Sequence, residues 1–220
     1  MSSPVAVTGE TIAHAAAILR SGGVVAFPTE TYYGLAVDPL QHRALERLFL
    51  IKRRPKNLPI LALVTDCSQL TLLASQVPAV YEPLIACFWP GPLTLVFPAL
   101  ATLPSQLTGS TGTIGLRCSP HPVANRLIAA FGSPITATSA NLSGDPPATT
   151  ADEVVRIFGD QIDLVLDGGR TPGGNGSTLV GVRGAILNCL RQGNIPFAAV
   201  QACVGPHAVK NEKNAGGING

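Results

Sequence analysis

The chain has 220 residues, long enough to bury one sizeable core. Hydrophobic residues make up 46% of it and the mean hydropathy is +0.32, which excludes a chain disordered throughout. A net charge of +2 excludes a uniformly basic surface for nucleic acid, so any functional positive charge must be local.

The N-terminal residues show no basic segment followed by an apolar run, so no signal peptide is expected. No apolar stretch reaches the roughly 18 residues of a membrane span, so no membrane contact and a cytoplasmic location are expected. Cys67, Cys87, Cys118, Cys189 and Cys203 are scattered without a C-x-x-C motif. They read as small residues of a reduced core, not as a disulfide framework or zinc site.

Residues 8–21 carry Ile12, Ala15, Ala16 and Leu19 at helical spacing, and Gly22-Gly23 stops the helix. Val24–Phe27 reads as a buried strand ended by Pro28, followed by the polar loop Thr29–Gly34. A helix spans His42–Ile51. Pro59–Val64 is an apolar strand, 66–75 and 78–88 are helices, and Leu93–Phe97 and Thr113–Arg117 are strands. His121–Phe131 is a helix and Ile135–Thr138 a short strand. Thr150-x-x-Glu153 is a capping-box pattern that opens a helix to Phe158. Leu164–Leu166, Leu179–Val182 and Ala185–Asn188 close the chain as strands. Helices alternating with strands predict an α/β or α+β fold with flanking helices, and the tight spacing of the last strands predicts antiparallel pairing among them. One domain is expected over 8–200, with a loose polar tail over 208–220.

Polar clusters follow the strand ends, where loops on a fixed frame present ligand-binding groups. Thr29-Glu30-Thr31-Tyr32-Tyr33-Gly34 offers hydroxyls and a carboxylate that suits an ammonium group; a turn with self-bonded Thr side chains is the alternative. Lys52-Arg53-Arg54-Pro55-Lys56 places two of the chain's four lysines beside two arginines, suited to polyphosphate or equally to a solvated helix end. Thr136–Gly144 offers hydroxyls, an amide and backbone N–H groups for phosphate oxygens, or an ordinary polar turn. The glycine-rich segment 167–178 lets backbone approach a ligand, but it lacks the lysine of a P-loop. Arg117 ends an apolar strand and wants an anion, whether a ligand carboxylate or an internal partner; Arg191 suits phosphate or a strand cap. The histidines (His14, His42, His121, His207) have no metal-ligand spacing, and there is no G-x-S-x-G elbow.

In this order the clusters resemble the YrdC-like family, the threonylcarbamoyl-adenylate synthases, over residues 10–195. The resemblance is carried by Pro28–Leu35, Lys52-x-Arg54, Phe88–Thr94, Gly115-Leu116-Arg117, Thr138–Gly144, Ser177-Thr178 and Ile186–Gly193. It implies a twisted mixed sheet with a concave positive cleft. It also implies formation of an adenylate from L-threonine, bicarbonate or carbon dioxide, and ATP with Mg2+. No protein nucleophile is then needed. Thr31, Arg117 and Ser177 would hold threonine; Lys52, Arg54, Thr113, Ser139, Asn141 and Arg191 would hold ATP. The product would pass to a tRNA threonylcarbamoyl-transferase complex, with weak tRNA contact possible. Three positions depart from the family pattern: Leu63 stands where His is frequent, Leu58 where Asn is frequent, and Pro147 where some members use Ser near ATP. The rival readings are a related carbamoyl-adenylate-forming domain and an RNA-binding or ribosome-assembly module.

Overall fold

A computed structural model describes residues 3–184 and 186–204; the expected tail and His207 lie outside them. Eleven strands and seven helices are present among the described residues. They begin with strand β1 (Val5–Ala6), helix α1 (Gly9–Arg20), β2 (Val25–Pro28), β3 (Tyr33–Ala36), α2 (His42–Lys52) and β4 (Ala62–Val64). Then come α3 (Glu82–Phe88), β5 (Leu93–Pro98), α4 (Ser105–Thr108), β6 (Thr113–Cys118) and α5 (Pro122–Phe131). The chain continues through β7 (Ile135–Thr136), β8 (Thr138–Ser139), α6 (Ala151–Phe158), β9 (Leu164–Asp167), β10 (Thr178–Arg183), β11 (Ile186–Arg191) and α7 (Phe197–Val204).

The helices form where periodicity and caps agree. In α1, Ile12, Ala15, Ala16 and Leu19 are buried, and Thr8 and Thr11 form a capping box. Burying a side chain such as Leu19 contributes about 1.5–3 kcal/mol. In α6 the Thr150 hydroxyl accepts from the Glu153 N–H at 3.3 Å, and the Glu153 carboxylate accepts from the N–H groups of Thr149 and Thr150. Those bonds, first among them the Thr149 N–H, hold the Glu153 carboxyl below the usual range. The helical readings at 66–75 and 78–88 shorten to 3₁₀ turns at Cys67–Leu72 and Ala79–Tyr81, with α3 following. The apolar run at Pro59–Val64 becomes a strand only from Ala62. Before that, the Ile60 N–H goes to the Leu107 carbonyl and the Leu61 carbonyl accepts from Ala137.

The fold is mixed α/β, with its strands divided between two sheets. One runs β1-β9-β2-β3-β8, the other β11-β10-β5-β6-β4-β7. Both mix directions: β2 lies parallel to β9 and antiparallel to β3, while β10 lies parallel to β5 and antiparallel to β11. The β10–β11 hairpin is the antiparallel closure expected from the short spacing. The single strand read at Ile135–Thr138 is two strands in different sheets: β7 pairs with β4, β8 with β3, and only Ala137 separates them. This crossing joins the sheets and brings their loops to one cleft. The helices α1 and α5 cover the outer face of β2 and β9 with a second core that includes Leu19, Phe27, Leu127 and Leu166.

The cysteines correct the core reading. Cys118 is buried, but Cys67, Cys87 and Cys189 are exposed and Cys203 is half-buried. No helix among the described residues is long and apolar enough to cross a membrane.

Candidate active site

A cavity of about 620 Å³ lies between the two sheets. Its walls come from the loop before β3, from β8, and from β5, β6, β10 and β11. Seven of the nine residues expected to bind substrates line it: Thr31, Arg54, Thr113, Arg117, Ser139, Ser177 and Arg191. Lys52 and Asn141 do not.

The end of α2 explains why the basic cluster separates. Arg53 adopts left-handed backbone (φ 51°), its N–H bonds Leu50, and the Arg54 N–H reaches back to the Phe49 carbonyl at 3.0 Å. The turn sends neighbouring cations opposite ways. Arg54 enters the cavity, braced by the carbonyls of Leu58 (3.3 Å) and Pro59 (2.8 Å). Lys52 is 1% exposed and donates to the carbonyls of Ser139 and Asn141, the latter at 2.7 Å. Burial pushes its ammonium down to about 7, with the Arg54 charge adding to the effect. Lys52 thus holds the 139–141 loop from beneath.

That loop consumes its own donors. Asn141 Nδ2 donates to the carbonyls of Leu142 (2.8 Å) and Asp145 (2.7 Å), and its Oδ1 accepts from the Ser139 hydroxyl at 2.6 Å. The N–H groups of Ala140, Asn141 and Ser143 bond the carbonyls of Tyr33, Ser139 and Lys52. The backbone N–H groups expected to cradle phosphate in 136–144 are therefore already occupied at these positions. The loop presents the Ser139 side chain instead.

Arg117 is 4% exposed and sits at the cavity wall. Its Nε lies 3.3 Å from Glu30 Oε1, and the other Glu30 oxygen accepts from the Ser119 hydroxyl. Burial lowers the guanidinium pKa, the Glu30 charge opposes that shift, and Arg191 adds to it. Neither Glu30 Oε1 nor Arg117 Nε has a hydrogen bond of good geometry among the described residues. Of the two readings of Arg117, the structure shows the internal ion pair, at a residue that also lines the cavity.

Arg191 closes the opposite wall. Its Nη2 donates to the Ser177 carbonyl (2.9 Å) and hydroxyl (3.0 Å), and the Ser177 hydroxyl meets that of Thr94 at 2.8 Å. Burial lowers its pKa too, and its charge lowers that of Arg54 after burial has done so. Behind it, Gly193 passes so close that an added Cβ would stand 2.3 Å from the Ser177 carbonyl carbon. The glycine-rich segment is pinned over the cleft: the Gly173 N–H bonds the Thr31 carbonyl at 2.6 Å, the Tyr32 hydroxyl bonds the Gly174 carbonyl, and the Tyr33 hydroxyl bonds Gly169 at 2.8 Å. Burial, helped by Asp167, pushes the Tyr33 phenol up to about 12, so it stays a donor.

Tyr32, Thr111 and Leu190 also line the cavity and were not singled out from sequence. Thr111 and Leu190 carry no local signal. Tyr32 sits within a flagged loop, but its partner lies 142 residues away. Of the departing positions, Pro147 lines the cavity, Leu58 is 42% exposed, and Leu63 is fully buried in the second core.

The site contains three arginines and no carboxylate among its lining residues, with hydroxyls and apolar surface between them. Fold and site together define a mixed α/β protein with a cationic cleft between its two sheets. A family model described as "Telomere recombination", the Sua5/YciO/YrdC model, matches residues 17–193, and the chain belongs to that family. It is similar to the threonylcarbamoyl-AMP synthase of Pyrococcus abyssi, 39% identical over 191 residues that cover 87% of this chain and 56% of that one. It is also similar to the threonylcarbamoyl-AMP synthase of Vibrio cholerae, 40% identical over 187 residues covering 84% and 98% of the two chains. The crystal structure of P. abyssi Sua5 complexed with L-threonine superposes with a TM-score of 0.87 at 37% identity, over 93% of this chain and 61% of that one. The chain thus spans a little over half the length of the P. abyssi relative and, at 57%, of the Bacillus subtilis one.

Proposed function

We propose that the chain makes threonylcarbamoyl-AMP from L-threonine, carbon dioxide or bicarbonate, and ATP, releasing diphosphate. The product would serve a tRNA threonylcarbamoyl-transferase complex that modifies adenosine beside the anticodon. The observation that carries this reading is the convergence of Arg54, Arg117 and Arg191 on one cavity that also holds Thr31, Ser139 and Ser177. The threonine-bound state of the P. abyssi relative supports an amino-acid subsite in the same fold.

In the proposed reaction the threonine amine captures carbon dioxide as a carbamate and loses a proton. A carbamate oxygen attacks the α-phosphorus, the bond from that phosphorus to the bridging oxygen breaks, and diphosphate leaves. The nucleophile comes from the substrate, so the protein supplies position and charge. Arg117, with Thr31 and Ser177 of the same cavity, would take the threonine carboxylate. Arg54 and Arg191, with Thr113 and Ser139, would take the triphosphate, and Lys52 and Asn141 would fix the loop that carries Ser139. Among the described residues no group of three or more His, Cys, Asp or Glu side chains is placed to hold a metal ion. The cavity's donors suit anions, so magnesium is proposed to enter on the triphosphate as MgATP, part of the substrate.

Purified protein given MgATP, bicarbonate and labelled L-threonine should release diphosphate only when threonine is present, and the label should appear in an adenylate. Turnover with carbamoyl phosphate but not threonine would replace this reading with carbamoyl-adenylate chemistry. Salt-sensitive RNA binding without ATP turnover would replace it with an RNA-binding role.

A further inference from the structure

We propose that Cys87 and Cys203 form a reversible dithiol–disulfide site that staples α7 to α3 in the presence of a small-molecule disulfide oxidant. The two residues stand 116 positions apart in the chain, yet their sulfurs are 2.7 Å apart, against about 2.03–2.05 Å in a formed disulfide. Cys203 also points its sulfur at the Pro83 carbonyl, 3.3 Å away at the start of α3. The pair is therefore held by the packing of two helices and not by a flexible loop. Cys87 is exposed and Cys203 half-buried, so one sulfur admits an oxidant and the other is placed to resolve it.

With glutathione disulfide as oxidant the steps balance. The Cys87 thiolate attacks one glutathione sulfur and expels a glutathione thiolate. The Cys203 thiolate then attacks Cys87 in the mixed disulfide and expels the second glutathione. Two protein S–H bonds are lost, one S–S bond forms, and two electrons pass to the oxidant. In the reduced pair, burial and then the adjacent Cys87 push the Cys203 thiol up; the second step needs its thiolate and should accelerate as pH rises.

Both helices connect to segments that reach Ser177 at the cleft. From α3 the chain runs into β5, whose Thr94 hydroxyl meets Ser177 at 2.8 Å. Ahead of α7, Asn194 donates its N–H to the Gly176 carbonyl (2.9 Å) and accepts from the Asn175 N–H (2.8 Å). A staple here would lock together the two segments that meet at Ser177.

The test uses the full chain, fully reduced and then incubated with glutathione disulfide, and needs no enzymatic activity. Peptide mass mapping without reductant should show a Cys87–Cys203 link as the dominant product. The Tm should rise by roughly 5–15 °C, reversibly with dithiothreitol. Cys87→Ser, an exposed substitution, should keep the Tm of the reduced protein and lose both effects. A mixed disulfide that persists at Cys87 would overturn the proposal, as would links made instead through Cys67, Cys118 or Cys189.

Discussion

The two ends of the cleft both use arginine, but they balance its charge differently. At one end Arg117 is buried against Glu30, so the guanidinium arrives with a carboxylate 3.3 Å away. Arg54 and Arg191 are instead braced, among the described residues, by neutral acceptors, the carbonyls of Leu58, Pro59 and Ser177 and the Ser177 hydroxyl. A paired cation with a neighbouring carboxylate suits a zwitterion, which brings both signs of charge. Two uncompensated cations suit a polyanion. On the proposed function, this contrast assigns the amino acid to Arg117 and the triphosphate to Arg54 and Arg191.

The largest effect should come from breaking the paired end. Arg117→Ala leaves Glu30 in a buried setting without its partner, and removing one member of a buried pair costs about 3–5 kcal/mol. The Tm should fall, and the threonine KM should rise more than the ATP KM. Equal rises would place Arg117 outside the amino-acid end. If the carboxylate matters only as a counter-charge, Arg117→Met combined with Glu30→Met should recover stability but not threonine use. Failure to recover stability would show that Ser119 or other neighbours carry the coupling.

Lys52 tests the frame that both ends share. Its folded pKa, about 7, lies below the ordinary 10.5, so between those values the unfolded chain binds more protons than the folded one. The stability this confers is complete above 10.5, declines as pH falls, and is gone below about 7. At its steepest the slope is on the order of 1.4 kcal/mol per pH unit. Denaturant titrations across this range should show stability rising with pH, and Lys52→Met should flatten that rise. An unchanged slope in the variant would mean Lys52 is not the group responsible.

The sequence made much of this frame legible and concealed the rest for identifiable reasons. Capping at Thr8 and Thr150 and the apolar period of α1 are local signals, and both helices form where they point. The division between the sheets is not local: nothing in Thr136-Ala137-Thr138 marks a crossing that depends on pairing with β4 on one side and β3 on the other. Side-chain direction is hidden too. The spacing of Lys52 and Arg54 marks a basic cluster, but only the left-handed turn at Arg53 decides that one goes under the loop and the other into the cavity. The same limit hid the Cys87–Cys203 approach, which needs the docking of α7 on α3.

A smaller effect is expected at the uncompensated end. Arg54→Ala removes a charge that no carboxylate among the described residues balances, so folding should be little affected. The lost charge-assisted contacts, about 1.5–3 kcal/mol, should appear as a roughly ten- to hundredfold rise in the ATP KM. A change confined to the threonine KM would reverse the assignment of the two ends. ATP kinetics that do not change would make the cluster a solvated helix end.

The smallest effect should come from Leu58→Asn, and its smallness is informative. Leu58 departs from the family pattern, yet its side chain is 42% exposed and is not among the cavity-lining residues. What the site uses at this position is the backbone, whose carbonyl accepts from Arg54 Nε at 3.3 Å. An exposed substitution that leaves the backbone in place usually stays within about 0.5 kcal/mol, so the ATP KM should move by no more than about twofold. A larger fall in KM would mean that an amide here reaches the nucleotide and that part of the triphosphate end is built by side chains beyond the arginines. An unchanged KM beside a strongly affected Arg54→Ala would place the binding energy in the cation and leave residue 58 the task of aiming it.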